Sequence, residues 1–95
     1  MNSAVKYAVK PTTRFRRDYK LMEKRRMDMS LLDETIAMLA QGLPLPASNR
    51  DHELVGSYAG HRECHIQSDW LLVYRIDGDV LVLSLTRTGA HSDIF

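Results

Sequence analysis

The first residues of the chain alternate between apolar and polar side chains. Val5, Tyr7 and Val9 are separated by lysine and alanine, a period of two that indicates a short, half-buried β-strand. Pro11 follows, and proline cannot donate a backbone hydrogen bond to a neighbouring strand. We therefore expect the first strand to end at Pro11.

The next segment has the period of an amphipathic helix. Thr12 or Thr13 can cap its first turn, because a threonine hydroxyl accepts a hydrogen bond from a free backbone N–H group. The pattern fades near Arg26, and arginines and lysines cover the outer faces. The apolar stripe follows the spacing i, i+4, i+7 and consists of Phe15, Tyr19 and Met22.

A second helix is predicted to begin at Ser30. Ser30 and Asp33, three residues apart, have the spacing of a capping box, and Glu34 adds negative charge where the helix dipole is positive. Gly42 supplies the C-terminal stop. The predicted buried stripe consists of Leu32, Ile36 and Leu39.

Beyond Gly42 the chain changes to strand-like patterns. Residues 43–46 read Leu-Pro-Leu-Pro, which excludes a helix and begins an extended connection. Alternating runs follow at residues 62–67, 70–76 and 80–88, separated by turn signals at Ser68-Asp69 and Asp77-Gly78-Asp79. In the last run one face is predicted to hold Leu81, Leu83, Leu85 and Arg87, which makes Arg87 the polar end of an apolar row.

This order of elements predicts an α+β fold: one strand, two helices, and then three or four strands. The sheet is expected to be mostly antiparallel and twisted, with both N-terminal helices packed on one face. Neighbouring strands of a meander run in opposite directions, so the Ser68-Asp69 turn and the end of the last strand fall at the same end of the sheet. The residues that can converge there are His65, Asp69, Trp70, Arg87 and His91.

The length of 95 residues is typical of one domain, which we expect to span residues 1–95. The longest nearly apolar run, residues 80–85, is far too short to span a membrane, and the N-terminus has no apolar block of the signal-peptide type. We therefore expect a soluble, cytoplasmic protein without a membrane partner. Cys64 is the only cysteine, which excludes an intramolecular disulfide and favours a small buried side chain.

The net charge of +1 conceals an uneven distribution. Residues 1–30 contain nine lysines and arginines against three acidic residues, a net charge of +6, whereas residues 31–95 contain four against nine, a net charge of −5. Most of the positive charge lies between Arg14 and Arg26, a segment that would attract a polyanion or an acidic protein segment. The alternative is an ordinary solvated helix face.

Three of the four histidines stand near the residue types that RNA cleavage requires. The ribose 2′-hydroxyl can attack the adjacent phosphate if the protein supplies a base, an acid and a positive charge. Histidine suits both proton transfers because its ordinary pKa is about 6.5, and arginine matches phosphate oxygens. Trp70 and Phe95 can stack on bases. The candidate catalytic residues are His52, His65, Asp69, Arg87 and His91.

Other interpretations of these residues remain open. Trp70 can belong to the core, Phe95 can cover the end of the sheet, and His61 is interpreted as a structural histidine. A metal site would draw on the histidines with Cys64 and Asp69, but Cys64 and His65 are adjacent in a strand and point to opposite faces. No metal-binding spacing is present, so we predict no metal and no cofactor. A serine hydrolase site at Ser92 lacks a nucleophile elbow.

Six segments together resemble the YafQ branch of the RelE/ParE superfamily, the toxins of bacterial type II toxin–antitoxin modules. The resemblance extends over nearly the whole chain, and its segments are residues 15–20, 43–46, 50–54, 62–66, 69–74 and 87–95. The functional positions of that branch match at His52, His65, Asp69, Trp70, Arg87, His91 and Phe95.

The resemblance implies a RelE-like fold and a metal-independent endoribonuclease that enters the A site of the 70S ribosome and cuts mRNA. It also implies an antitoxin partner that holds the enzyme inactive and links it to operator DNA. Under this interpretation the basic helix contacts ribosomal RNA, or an antitoxin that is acidic where it docks. The residues expected to make these contacts are Arg16, Arg17, Lys20 and Lys24.

The individual roles stay open at this point. We expect His65 or Asp69 to take the 2′-hydroxyl proton, Arg87 to hold the developing phosphate charge, and His91 to protonate the leaving group. His52 would assist in proton transfer or contact the phosphate. Two rival hypotheses are a ParE-type inhibitor of DNA gyrase and a non-catalytic co-repressor that acts through its antitoxin.

Overall fold

A five-stranded sheet carries two helices on one of its faces. The computed structural model describes residues 5–95. The elements, in chain order, are β1 (Ala8–Pro11), α1 (Thr13–Lys24), α2 (Met29–Ala40), β2 (His52–Glu53), β3 (Arg62–Gln67), β4 (Trp70–Asp77), β5 (Val82–Gly89) and α3 (His91–Ile94). The strand order is β1-β5-β4-β3-β2; β1 is parallel to β5, and the other neighbours are antiparallel. The predicted α+β class and mostly antiparallel sheet are confirmed.

Helix α1 begins and ends where the sequence predicts. The Thr12 hydroxyl accepts a hydrogen bond of 3.0 Å from the Phe15 backbone N–H and caps the first turn. The last helical residue is Lys24. Phe15 and Met22 are buried against the sheet and Tyr19 packs beside them, so the predicted stripe is confirmed.

Helix α2 begins two residues earlier than a cap at Ser30 predicts, because its N-cap is Asp28. The Asp28 carboxylate accepts hydrogen bonds from the Ser30 backbone N–H at 3.1 Å and from the Ser30 hydroxyl at 2.6 Å. The predicted Ser30–Asp33 capping box is therefore wrong, and Asp33 instead accepts a hydrogen bond from the Tyr19 hydroxyl. Gly42 ends the helix as predicted, with a positive φ of 74° and its N–H bonded to the Leu39 carbonyl.

Strand β1 lies later in the chain than the alternation of residues 5–9 predicts. It spans Ala8–Pro11 at the edge of the sheet, and Val9 is 38% exposed. The predicted end at Pro11 is confirmed. The turn between β4 and β5 is also longer than predicted, because Leu81 adopts a positive φ of 54° and lies outside β5 with half of its side chain in solvent.

A β-bulge reverses the face on which Arg87 lies. Tyr74 of β4 pairs with Leu85 of β5, but Val73 pairs with Arg87, which leaves Thr86 as an extra residue. Because side chains alternate along a strand, one extra residue exchanges the two faces beyond it. The prediction that Arg87 continues the apolar row of Leu85 is wrong: Leu85 faces the helices, and Arg87 lies on the opposite face beside Val73.

Helix α1 replaces β1 as the neighbour of the last part of β5. Beyond Pro11, the buried carboxylate of Asp18 accepts a hydrogen bond of 3.1 Å from the Thr88 backbone N–H. The same carboxylate binds Arg87 through Nε at 2.7 Å and through Nη2 at 3.2 Å. One side chain therefore satisfies the open edge of β5 and neutralises a buried guanidinium.

Replacement of Asp18 by alanine is expected to lower the free energy of unfolding by about 3–5 kcal/mol, because it leaves the Arg87 charge buried without a partner. Urea denaturation followed by circular dichroism measures the change. The matched control is Asp33→Ala, which removes an exposed carboxylate that also accepts one side-chain hydrogen bond from α1. Equal losses for the two variants would contradict this interpretation of Asp18.

Candidate active site

The face of the sheet opposite α1 and α2 carries a row of cross-strand neighbours. His52 of β2 pairs with Glu63 of β3, Glu63 with Val73 of β4, and Val73 with Arg87 of β5. Side chains that pair across strands point to the same face. The bulge at Thr86 is what brings Arg87 into this row.

Glu63 joins two of the candidate histidines, although the sequence analysis did not single it out. Its side chain is only 6% exposed, and its Oε2 lies 3.2 Å from His52 Nε2 and 4.0 Å from His65 Nε2. The other nitrogen of His52, Nδ1, lies 2.7 Å from the Arg50 carbonyl oxygen. The available signal was the position of Glu63 two residues before His65, which places both on one face of β3.

Asp69 and His91 form a second unit at the end of the sheet. Asp69 Oδ1 lies 2.8 Å from His91 Nδ1 and accepts a hydrogen bond of 3.1 Å from the His91 backbone N–H. The bond with the His91 side chain lowers the pKa of Asp69, so this carboxylate is ionised at neutral pH. An ionised carboxylate can only accept, so Nδ1 of His91 carries the hydrogen and Nε2 is left for chemistry.

The two units meet through His65 and His91. Their ring centroids are 6.0 Å apart, and the His91 side chain is about half exposed. A cleft of about 330 Å³ lies beside His65 and is also lined by Asn49 and Arg50. Asn49 Nδ2 donates a hydrogen bond to the His65 carbonyl oxygen, which holds this side of the cleft against β3. Of the five residues predicted to converge at this end of the sheet, His65, Asp69 and His91 do lie together.

Arg87 stands on the site face but is mostly covered. It is 7% exposed, and its Nη2 donates a hydrogen bond of 3.1 Å to the Asp93 carbonyl oxygen in addition to the bonds with Asp18. Its pKa is raised, mainly by the hydrogen bond to Asp18, so its charge is permanent. Arg87 is thus a fixed positive charge beneath the site.

Trp70 does not lie where RNA can stack on it. The side chain is 1% exposed on the helix-facing side of β4, and its Nε1 donates a hydrogen bond of 3.0 Å to the Thr88 hydroxyl. The predicted base-stacking role is contradicted by this burial. The alternation of β4 sends Trp70 to the same face as Leu72 and Tyr74, and the core interpretation holds.

Phe95, by contrast, remains 60% exposed at the edge of the site. Its ring centroid lies 6.4 Å from that of His91 and 5.6 Å from that of Tyr58, which it meets edge to face. Tyr58 is a second residue that the sequence analysis missed, since it lies in a loop without periodicity. The ring of Phe95 is available to a base.

The remaining candidates of the sequence analysis lie apart from these units. Cys64 is fully buried in the core on the face opposite His65, and burial raises the pKa of its thiol to about 12. His61 packs edge-on against Tyr58. Among residues 5–95, no three histidine, cysteine, aspartate or glutamate side chains are grouped so that they could hold a metal ion.

The outer side of α1 forms an exposed positive surface, here called the basic surface. A shallow depression of about 280 Å³ lies on it, with Leu21 among the basic side chains that border it. The basic surface consists of Arg16, Arg17, Lys20 and Lys24, all of which are exposed.

Within residues 5–95, no helix combines the length and apolarity that a membrane crossing requires.

Comparison with known proteins identifies relatives with the same fold. A family model described as the bacterial toxin of type II toxin–antitoxin systems, YafQ, matches residues 7–95. The mRNA interferase toxin YafQ of Escherichia coli strain K12 is 39% identical over 82 residues, which cover 85% of this chain and 87% of that protein.

Two solved structures extend the likeness to three dimensions. The E. coli DinJ-YafQ toxin–antitoxin complex matches with a TM-score of 0.87 and 35% identity, over 96% of this chain and 99% of the matched chain. A metal-bound toxin from Helicobacter pylori matches with a TM-score of 0.88 and 36% identity, over 94% of this chain and 99% of that one. The predicted RelE-like fold is confirmed, and the chain belongs to the YafQ family of bacterial type II toxin–antitoxin toxins.

Proposed function

We propose that this protein is an endoribonuclease that cleaves mRNA in the ribosomal A site. The observation that carries the proposal is the pair of imidazoles at one end of the sheet, His65 and His91, whose centroids are 6.0 Å apart. Each has a carboxylate beside it, Glu63 or Asp69. The E. coli relative is an mRNA interferase, and this arrangement supplies an acid and a base for the same reaction.

His65 is the better base and His91 the better acid. The lowered pKa of Asp69 makes it a weak proton acceptor, and its carboxylate is already engaged by His91. Asp69 instead orients the His91 ring through the contact with Nδ1. In this scheme His65 takes the 2′-hydroxyl proton, the 2′-oxygen bonds to phosphorus, and the bond to the 5′-oxygen breaks as His91 protonates it.

Glu63, His52 and Arg87 support this reaction from the same row. Both ring nitrogens of His52 face oxygen acceptors, the Arg50 carbonyl and Glu63, so His52 is better placed to hold hydrogens than to take them. Its proposed role is to contact the scissile phosphate. The guanidinium of Arg87 is paired with Asp18 beneath this row, so its proposed role is to stabilise the developing phosphorane as a hydrogen-bond donor rather than as a free charge.

The surroundings of the site fit a large RNA target. Phe95 can stack on a base next to the scissile phosphate, a contact worth about 1–3 kcal/mol per base. The basic surface of α1 can bind ribosomal RNA phosphates. A ribosomal target places the protein in the cytoplasm.

A cognate antitoxin is the proposed protein partner. The E. coli relative is structurally characterised in a complex with DinJ. An antitoxin segment of negative charge would complement the basic surface, hold the toxin inactive, and connect the complex to operator DNA for autoregulation.

Replacement of His91 by alanine is expected to lower cleavage of ribosome-bound mRNA by about 10²–10⁴-fold, because the leaving oxygen loses its proton donor. Primer extension on mRNA from translating ribosomes maps the cuts. The products should carry a 2′,3′-cyclic phosphate and a 5′-hydroxyl.

His61→Gln is the matched control, since His61 lies outside both carboxylate–histidine units. It should keep the wild-type cutting pattern. A 3′-hydroxyl with a 5′-phosphate would exclude attack by the 2′-oxygen. Toxicity that persists in His91→Ala together with inhibited DNA supercoiling would favour the gyrase hypothesis.

Neutralisation of Arg17, Lys20 and Lys24 by glutamine should weaken ribosome binding and reduce its salt dependence. If each contacts one phosphate, the slope of log K against log salt concentration becomes shallower by about 2–3. Filter binding to 70S ribosomes at several salt concentrations measures this slope, and antitoxin affinity is measured in parallel. Arg75→Gln removes an exposed arginine of β4 as a control. If ribosome and antitoxin binding both stay unchanged, the basic surface is only a solvated face.

Removal of transition metals is expected to leave cleavage unchanged, because the proposed base, acid and charge are all side chains. The protein is treated with a chelator, freed of it by gel filtration, checked by metal mass spectrometry, and assayed with Mg²⁺-containing ribosomes. The H. pylori relative is a metal-bound toxin, so dependence of cleavage on a bound metal is the specific alternative. Loss of cleavage with recovery on addition of one transition metal would refute the metal-free scheme.

A further inference from the structure

The short helix α3 carries His91 and leads directly into Phe95. It has only four residues, and an isolated helix of one turn is unstable in water because nucleation costs more than one turn of hydrogen bonds returns. Its order must therefore come from contacts with the rest of the protein. Those contacts determine whether His91 stays against Asp69.

Asp93 makes most of these contacts. Its Oδ2 accepts a hydrogen bond of 2.8 Å from the Ala90 backbone N–H, which closes the first turn of α3. The two carboxylate oxygens bind Arg25 Nη1 and Nη2 at 2.7 and 3.0 Å. Its backbone carbonyl accepts the hydrogen bond from Arg87. Asp93 thus closes the first turn of α3 and connects this helix to Arg25 and to β5.

Gly89 allows Asp93 to fold back this closely. A Cβ atom at position 89 would lie 2.9 Å from Asp93 Oδ2 and 3.0 Å from Asp93 Cβ, which is too close for carbon. Glycine at this position, with its φ of 154°, therefore lets the carboxylate of α3 approach the end of β5 without being displaced.

Arg25 is the C-cap residue of α1 and lies on the same side of the helix as Asp18. The two residues are seven apart, two helical turns, and each reaches across to the site face: Asp18 binds Arg87, and Arg25 binds Asp93. The bond from Arg25 lowers the pKa of Asp93, so the pair is charged at neutral pH.

We propose that Asp93 and Arg25 are positioning residues, which hold α3 so that His91 and Phe95 stay in place for cleavage. This inference rests on the proposed function. The pair acts on α3 rather than on the whole fold, because the Arg25 side chain is 43% exposed and exposed ion pairs add little to global stability. Loss of the pair should loosen four residues and leave the sheet intact.

The test uses Asp93→Asn and Arg25→Gln, which remove opposite charges. An asparagine at position 93 can still cap Ala90 through its carbonyl oxygen, so this change removes the ion pair and spares the turn. If charge alone mattered, the two variants would shift ribosome affinity in opposite directions. If position matters, both lower the maximal cleavage rate, by about tenfold or more.

The double variant Arg25→Gln/Asp93→Asn should cleave no more slowly than the slower single variant, because each change already breaks the same contact. Arg25→Lys should recover part of the rate. The controls are Arg75→Gln and Asp79→Asn, both exposed and located towards the opposite end of β4.

Backbone ¹⁵N relaxation provides a readout that does not depend on cleavage. The order parameters of His91 to Phe95 should fall from about 0.85 to below about 0.6 in both single variants, while the strands and the thermal midpoint stay as in the wild type. Unchanged order parameters in α3 would overturn the inference. So would a double variant whose cleavage rate falls by the product of the two single effects. If the wild type does not cut mRNA, the proposed function fails, while relaxation still decides whether the pair holds α3.

Discussion

The buried carboxylate of Asp18 is the interaction on which the sheet and the site both depend. It lies where β1 has ended and α1 passes along β5, and there it accepts hydrogen bonds from the Thr88 backbone and from Arg87. Without it, the edge of β5 would expose an unpaired N–H group and the guanidinium would be buried without a counter-charge. The Asp18 side chain therefore joins the layer of helices to the face with the histidines.

Local periodicity predicted most of the fold because it reports which side of each element is buried. The stripes of α1 and α2 and the runs of β3 and β4 followed from it, whereas Leu81, predicted in the buried row of β5, lies outside that strand. It failed at the start of α2, where Asp28 and Ser30 are both good N-cap residues. It also failed in β5, where the bulge at Thr86 arises from the pairing with β4. The spacing of apolar residues within α2 or β5 alone predicts neither the N-cap nor the bulge.

The site was predictable to the extent that it follows from strand direction. Antiparallel order brings His65, Asp69 and His91 to one end, and Glu63 is visible one step along the face from His65. The pairing of Asp18 with Arg87 spans 69 positions, so no local pattern reveals it. Trp70 was assigned to base stacking because it is aromatic and because its position matches the family, whereas its burial bears out the alternative interpretation as a core residue.

The extra residue at Thr86 determines on which face of the sheet Arg87 lies. Since the bulge alone moves Arg87 to the face of the histidines, what matters between Leu85 and Arg87 is how many residues there are, more than which residue occupies the place. A chain one residue shorter there would keep every histidine, carboxylate and arginine named above. It would nevertheless turn the guanidinium towards the apolar core. The same residues would then be present, but they would no longer form the site.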